Sequence, residues 1–354
     1  MKKIVILEGD GIGPEIMREA LKVLEVVESK ANIKFEKTFG HIGGEAYDKF
    51  GTPFPEETKR KCLEADAVLL GSVGGPKWDS LPPELKPETG GLLALRKLLN
   101  LYANLRPIRI YDSLKSISPL KETKISNVDL ITVRELSYGI YYGEPKFIDN
   151  EKGLDTMIYD RKTVEKIAKL AFEIASKRRK IVTSVDKANV LRSSMFWRKV
   201  VKEISRDYPN ISLNHMYVDN AAMQLILNPS QFDVILTSNM FGDILSDESA
   251  ALVGSLGMLP SASLGDINLY EPAGGSAPDI AGKNIANPIA QILSCAMMLE
   301  FSFGMIDEAR KIEKAVELVI EEGYRTRDLA DHSSKILTTS QMGDVICKKL
   351  EEVW

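Results

Sequence analysis

Two carboxylates four residues apart, in Thr237-Ser-Asn-Met-Phe-Gly-Asp-Ile-Leu-Ser-Asp-Glu-Ser-Ala250, are the side chains of this sequence best spaced to do chemistry. A helix beginning near Gly242 puts Asp243 and Asp247 on one face, a turn apart. Two aligned aspartates suit a hard divalent cation, which takes oxygen ligands. The plainer alternative makes Asp243 an N-cap and Asp247 a solvated acid. Asp219, in His215-Met-Tyr-Val-Asp-Asn-Ala221, lies between an alternating strand and a helix and is a natural third carboxylate.

Arginine placement adds a second kind of chemistry. Arg96 ends Leu92-Leu-Ala-Leu-Arg96, Arg106 falls in Leu101-Tyr-Ala-Asn-Leu-Arg-Pro107, and Arg134 in Ile131-Thr-Val-Arg-Glu135. Arginines in apolar or strand-like surroundings suit bidentate recognition of carboxylate or phosphate. Any one alone is more often a salt bridge, but three beside the aspartates fit a small dicarboxylic acid. Tyr141, in Tyr138-Gly-Ile-Tyr-Tyr-Gly143, and Lys187, in Thr183-Ser-Val-Asp-Lys-Ala-Asn189, are candidates for proton transfer. A lysine partly buried next to a metal has its pKa lowered into a useful range. Taken alone, Tyr141 reads as sheet packing and Lys187 as a surface strand end.

The totals exclude several other classes. A formal charge of -4 with no basic run gives no case for nucleic acid. No apolar run reaches membrane-spanning length, and the apolar opening to Leu7 is too short for a signal core. Cys62, Cys295 and Cys347 are far apart, as are His41, His215 and His332, so neither a disulfide framework nor a zinc cluster is supported. Any metal must be held by carboxylates, and a reducing cytoplasm is the expected compartment.

The elements that must position these residues alternate. Strand 3–7 leads through Glu8-Gly-Asp-Gly-Ile-Gly-Pro14 into an amphipathic helix over 15–28, and helix 55–64 leads into strand 67–70. Residues 91–102 are helical by composition, and 128–148 are short β-type segments. Helix 161–178, strand 181–185, helix 193–207 and strand 234–237 resume the alternation. A glycine-rich loop over 265–287, an apolar helix over 288–303 and a charged helix over 307–321 follow. This pattern predicts an α/β protein with a largely parallel sheet. A Rossmann fold is rejected: Pro14 stands where the dinucleotide fingerprint needs its third glycine.

Taken together, GDGIGPE, GSVGGPKW, LLALRK, LYANLRP, TVRELSYGIYYGEP, DKANVL, YVDNAAMQL, TSNMFGDILSDE and EPAGGSAPDIAGKNIANP resemble the β-decarboxylating dehydrogenase family. That family holds the isocitrate and isopropylmalate dehydrogenases. The resemblance runs from Ile4 to about residue 350. It implies the isocitrate/isopropylmalate dehydrogenase-like α/β fold, two domains on a largely parallel mixed sheet. The expected domains are a discontinuous cofactor domain, 1–101 plus 254–354, and a second domain, 102–253. By position, Arg96, Arg106 and Arg134 hold substrate carboxylates, and Asp219, Asp243 and Asp247 bind Mg2+ or Mn2+, with Asp219 also touching substrate. Tyr141 and Lys187 are the proton-transfer pair. Ile12, Gly75, Pro76, Glu88, Gly275, Ser276, Ala277, Asp279, Ile280 and Asn287 are the implied cofactor contacts. The family's sites are shared in a homodimer, with Lys187 and Asp219 supplied by the partner chain relative to Arg96.

Within the family, isocitrate-specific members carry serine and asparagine just before the first arginine, where this chain has Gly90 and Leu92. Leu92 and Leu93 offer apolar contact to an isopropyl group and would leave an extra carboxylate unpaired. The resemblance therefore implies oxidative decarboxylation of 3-isopropylmalate in leucine biosynthesis, with homoisocitrate, isocitrate, tartrate and D-malate as alternatives. Asp279 and Ile280 imply NAD, since a carboxylate accepts the ribose hydroxyls and repels a 2'-phosphate. Gly274 stands where many relatives have histidine. A non-enzymatic Mg-dependent nucleotide-binding module is the rival from another class, but it has no need of Arg96, Arg106, Arg134, Tyr141 and Lys187 together.

Overall fold

The computed structural model describes residues 1–354. The chain packs into two compact units, one of residues 1–101, 111–117 and 254–354, the other of 102–110 and 118–253. Segment 111–117 departs from the expected 102–253 domain. Its Leu114 is buried, and the Ser113 carbonyl accepts from Arg325 Nη2 at 2.9 Å, which holds it in the first unit.

The first unit contributes β1 (Lys2–Gly9), α1 (Gly13–Ala31), β2 (Phe35–Gly40), α2 (Gly44–Phe50), α3 (Glu56–Leu63), β3 (Ala67–Ser72) and α4 (Ala94–Leu98). The second contributes β4 (Ala103–Arg109), α5 (Glu122–Ile125), β5 (Asp129–Glu135), the short hairpin β6 (Phe147–Ile148) and β7 (Gly153–Leu154), and α6 (Arg161–Ser176). It continues with β8 (Ile181–Asp186), α7 (Arg192–Ile204), β9 (Ser212–Tyr217), α8 (Val218–Leu227), β10 (Val234–Thr237) and α9 (Asn239–Ala251). The chain then returns to the first unit with β11 (Pro260–Leu264), β12 (Asn268–Pro272), α10 (Ile289–Phe301), α11 (Ile306–Glu321) and α12 (Thr339–Val353).

Strands of the first unit lie in the order β2-β1-β3-β12-β11, parallel except that β11 runs antiparallel to β12. In the second the order is β4-β5-β10-β8-β9, parallel except for β4. Strands β1 and β3 are buried along continuous apolar runs, Ile4–Leu7 and Ala67–Leu70, as expected where helices cover both faces. Helix α10 is apolar all round, buried from Ile289 to Leu299, and packs on β11, β12, α1 and α11. On α6, Asp160 caps the N-terminus by accepting from the Thr163 N–H at 2.8 Å.

Two expected elements differ. The helix expected over 91–102 is a wide turn of π type, Pro87–Leu93, followed by one turn and a half of α-helix that ends at Leu98. Asn100 stops it, adopting φ 51° and donating its side-chain amide to Asp266 at 2.7 Å. The loop expected over 265–287 contains β12, whose Leu269 and Tyr270 are fully buried between β3 and β11. Flanking glycines and prolines conceal so short a strand.

The turn after β1 depends on close backbone contact. Gly9 sits at φ +70°, and a Cβ there would lie 2.0 Å from the Ser72 carbonyl oxygen at the end of β3. Gly51 has nearly the same backbone, φ +72°, with nothing within 4 Å. Gly51→Ala is expected to lose only the backbone cost of about 1–2 kcal/mol. Gly9→Ala should lose that plus about 1–3 kcal/mol or more for the steric conflict. Denaturant midpoints of the two variants decide it; equal losses would mean the β1–β3 approach can relax.

Candidate active site

Strand β4 runs antiparallel to β5 with Asn104 opposite Arg134 and Arg106 opposite Thr132. Alternation therefore brings Asn104, Arg106 and Arg134 to one face, and α9 packs against both strands. Arg134 is buried. Its Nη1 donates to Asp243 Oδ1 at 2.6 Å, while Nε and Nη2 both donate to Asn239 Oδ1, at 3.1 and 2.8 Å. Arg106 donates through Nε to Asn104 Oδ1 at 3.0 Å and through Nη1 to Ser246 Oγ and Asp247 Oδ1, each at 2.8 Å. Its Nη2 lies 3.6 Å from Asp243 Oδ1. The aspartates do share a helical face; Arg106 reaches both, and Arg134 holds Asp243.

Tyr141 joins the same cluster. Its hydroxyl donates to Asp243 Oδ2 at 2.8 Å, and the Arg134 guanidinium lies 5.7 Å from its ring centre. The turn that delivers it is anchored by Glu135, which accepts from the Ser137 and Tyr138 N–H groups and the Ser137 hydroxyl. Burial pushes the Glu135 carboxyl up, and these hydrogen bonds pull it back. Gly242 makes room for Arg134: a Cβ there would come within 2.6 Å of the Arg134 side chain.

Lys187 follows β8 and donates to Asp219 Oδ1 at 2.7 Å. Asp219 lies in the first turn of α8 and is exposed; the hydrogen bond from Lys187 holds its carboxyl below the usual range. Within one chain, no group of three or more His, Cys, Asp or Glu side chains gathers into a metal-holding cluster. Asp219 thus stands with Lys187, and Asp243 and Asp247 with the arginines.

In the first unit, Arg96 on α4 meets Glu271 on β12 at 3.1 Å, both buried. Leu92 and Leu93 end the π-type turn before α4, partly exposed, with Leu92 one turn ahead of Arg96. An apolar pocket of about 200 Å³ includes Ile12, Gly275, Ala277, Ile280 and Asn287 in its wall, with Leu256 and Asp328. Of the other implied cofactor contacts, Ser276 is structural as well: its hydroxyl donates to the Gly74 carbonyl at 2.7 Å and its carbonyl accepts from the Ile12 N–H at 2.8 Å. Glu88 packs against Gly74, and Gly75 and Pro76 open the short helix after it. Asp279 is exposed on the turn beside the pocket, and its carboxylate makes no hydrogen bond within the chain.

The loop over 72–76 is held by Asp10, a residue of the glycine turn after β1. Buried, it accepts from the Gly44, Glu45 and Gly74 N–H groups at 2.9, 2.8 and 2.8 Å. Burial raises its carboxyl pKa, and the three N–H donors oppose that.

Residues 3–346 match the sequence model of the isocitrate/isopropylmalate dehydrogenase family. The chain belongs to that family. It is 77% identical over 353 residues to a 3-isopropylmalate dehydrogenase of Thermotoga maritima, covering 99% of this chain and 100% of that one. A 3-isopropylmalate dehydrogenase of Carboxydothermus hydrogenoformans is 55% identical over 353 residues, 98% of this chain and 94% of the relative. Among solved structures, an isocitrate dehydrogenase from Methylococcus capsulatus superposes with TM-score 0.88 at 38% identity, covering 99% of each chain. The family architecture expected from the motifs is thereby established.

Asn239, Asn104 and Ser246 belong to the cluster and were not singled out from the sequence. The signal was present for two of them: Asn239 precedes Asp243 by one turn and Ser246 follows it by three residues, on the same face of α9. Asn239→Ala removes the acceptor for two N–H groups of Arg134, worth about 1–3 kcal/mol where the donor is charged. We expect kcat/KM for the acid substrate to fall by about tenfold to a hundredfold, with the fold retained by circular dichroism. An unchanged value would show that Asp243 alone aims Arg134.

Proposed function

We propose that this protein oxidises 3-isopropylmalate at C2 with NAD and releases CO2 from C3, giving 4-methyl-2-oxopentanoate in leucine biosynthesis. The observation that carries this reading is the joining of Arg106, Arg134, Asp243, Asp247 and Tyr141 in one cluster. The relatives of the same length named for that substrate support it.

The residues suit the groups the reaction needs. Asp243 and Asp247 offer only oxygen donors, which fits Mg2+ or Mn2+, with Asp219 of a second chain completing the set. Two arginines facing two aspartates leave the cluster near neutral, so a divalent cation and a dianionic acid can enter together with little net charge. The apolar pocket beside Ile12 and Ile280 fits the adenosine end of NAD, and the free Asp279 carboxylate fits its ribose hydroxyls. When bound, NAD accepts the C2 hydride, and the divalent cation polarises the C2 oxygen as a Lewis acid.

The chain's own residues do the rest. Arg96, Arg106 and Arg134 hold the two carboxylates, and Leu92 and Leu93 face the isopropyl group. Lys187, steadied by Asp219, takes the C2 hydroxyl proton as hydride leaves. Tyr141 then returns a proton to C3 after CO2 departs. We further propose a homodimer with shared sites. Apolar Met223, Ile226, Leu227 and Ile244 are exposed on α8 and α9, and Ile148 of the β6–β7 hairpin is 88% exposed, side chains that a second copy would cover.

NADH absorbance on mixing the protein with 3-isopropylmalate, NAD and Mn2+ is the direct test, with isocitrate and tartrate as comparisons. Lys187→Met should nearly abolish even first-turnover NADH formation, whereas Tyr141→Phe should keep it and slow later turnover. A loss of about 10²–10⁴-fold is the scale for one positioned acid or base. Refolding the two variants together should restore part of the activity if each site takes Lys187 from one chain and Tyr141 from the other. No recovery would sink the shared site.

Asp279→Lys with Ile280→Tyr should shift preference from NAD toward NADP, because a cation then meets the 2'-phosphate. The ratio of kcat/KM values for the two cofactors reads the change. An unaltered ratio would mean that Asp279 does not contact the ribose.

A further inference from the structure

Behind Lys187 lies an ion pair that the reaction scheme does not use. Asp186, the last residue of β8, is 2% exposed. It receives a two-pronged contact from Arg198 on α7, Nε to Oδ2 and Nη2 to Oδ1, each at 2.8 Å. Its Oδ1 also accepts from the Ala188 N–H at 2.8 Å, so the same carboxylate straddles Lys187 in sequence and sets the turn it occupies. The Lys187 carbonyl accepts from the Val190 and Leu191 N–H groups at 3.0 and 2.9 Å, closing that turn.

The second face of the guanidinium matters as much. Arg198 lies 5.0 Å from the centre of the Tyr217 ring, and Tyr217 is paired with Asp186 in the β8–β9 register. Tyr217 ends β9 and stands two residues before Asp219. One arginine therefore touches the residue before Lys187 and the residue that leads into the helix bearing Asp219. Lys187 and Asp219 then meet at 2.7 Å. The neighbouring Trp197 donates to Ser184 Oγ at 3.3 Å, which registers α7 on the same strand.

We propose that Arg198 is a positioning residue that brings Lys187 and Asp219 together by clamping the ends of β8 and β9. It touches neither substrate nor cofactor. The flat fork of arginine is needed because it binds a carboxylate with two parallel N–H groups while lying against a ring, which an ammonium cannot do. The inference rests on the reading of Lys187 as the base.

Arg198→Met alone leaves a buried unpaired carboxylate and should lower both melting temperature and turnover. The informative variant is Asp186→Asn with Arg198→Met, which removes the buried charge while Asn still offers an acceptor to the Ala188 N–H. We expect its melting temperature to recover toward that of the parent while kcat stays at least about tenfold down, since small misplacements of a reacting group are costly. KM for NAD should stay unchanged, and Arg198→Lys should not restore kcat. If kcat recovers together with the melting temperature, Arg198 is merely structural and the proposal falls. A crystal structure of the double variant gives the activity-independent reading. Separation of the Lys187 amine from Asp219 supports the clamp; a hydrogen bond retained there overturns it. Lys187→Met, measured alongside, judges the base assignment separately, because turnover surviving in it would remove the base and leave the geometric result standing.

Discussion

A guanidinium that is 1% exposed must be met by acceptors, and Arg134 imposes that demand on everything around it. Asp243 and Asn239 answer it from one face of α9. This fixes the rotation of that helix on β4 and β5, and with it the placing of Asp247 and Ser246 against Arg106. Gly242 is the space through which Arg134 passes, so the backbone and the charges of the cluster are set by one requirement. A buried arginine paired with carboxylates is not a strong source of stability. What it supplies is a fixed array of donors and acceptors of near-zero net charge.

Much of this could be read in the sequence because the chemistry lies in short runs. Asp243 and Asp247 are one turn apart in any helix, and LYANLRP and TVREL alternate as strands whichever sheet they join. Arg106, Arg134 and Tyr141 could therefore be named before their contacts were known. Their pairing could not, since it depends on the antiparallel register of β4 and β5, which is a property of two distant segments. Asn104, two residues before Arg106, shares its face by the alternation of that one strand; what the register adds is its place opposite Arg134. Strand β12, five residues ending in a proline after a glycine turn, lies in a segment expected to be loop, and its identity as a strand comes from the two neighbours that bury it. The shortened helix at Leu98 was hidden by good helix formers, because Asn100 ends it through a contact with Asp266 far along the chain.

Polar groups inside the first unit do similar work without any reacting group. Asp10 gathers three N–H donors, two from the first turn of α2 and one from the loop after β3, and Ser276 ties a further loop to both the Ile12 N–H and the Gly74 carbonyl. Loops are ordinarily the mobile parts of an α/β fold. Here they are cross-linked by buried hydrogen bonds at the ends of the strands, so a pocket lined by them is formed before anything enters it, and little ordering remains to oppose binding.

The division of the chain into 1–101, 111–117 and 254–354 on one side and 102–110 with 118–253 on the other has a consequence for biosynthesis. A ribosome releases β1, β2 and β3 first, but β3 pairs with β12, and the apolar face of α1 packs on α10 and α12. Those partners emerge only after the second unit is complete. Residues 102–110 and 118–253 can close their own core while the nascent N-terminal third still waits with Ala67–Leu70 of β3 unpaired on one side and α1 not yet covered by α10 and α12. Such exposed apolar strands are the segments that misassociate during slow, long-range folding. The opening hundred residues of this protein are thus the ones most in need of a chaperone's protection while the rest is being made.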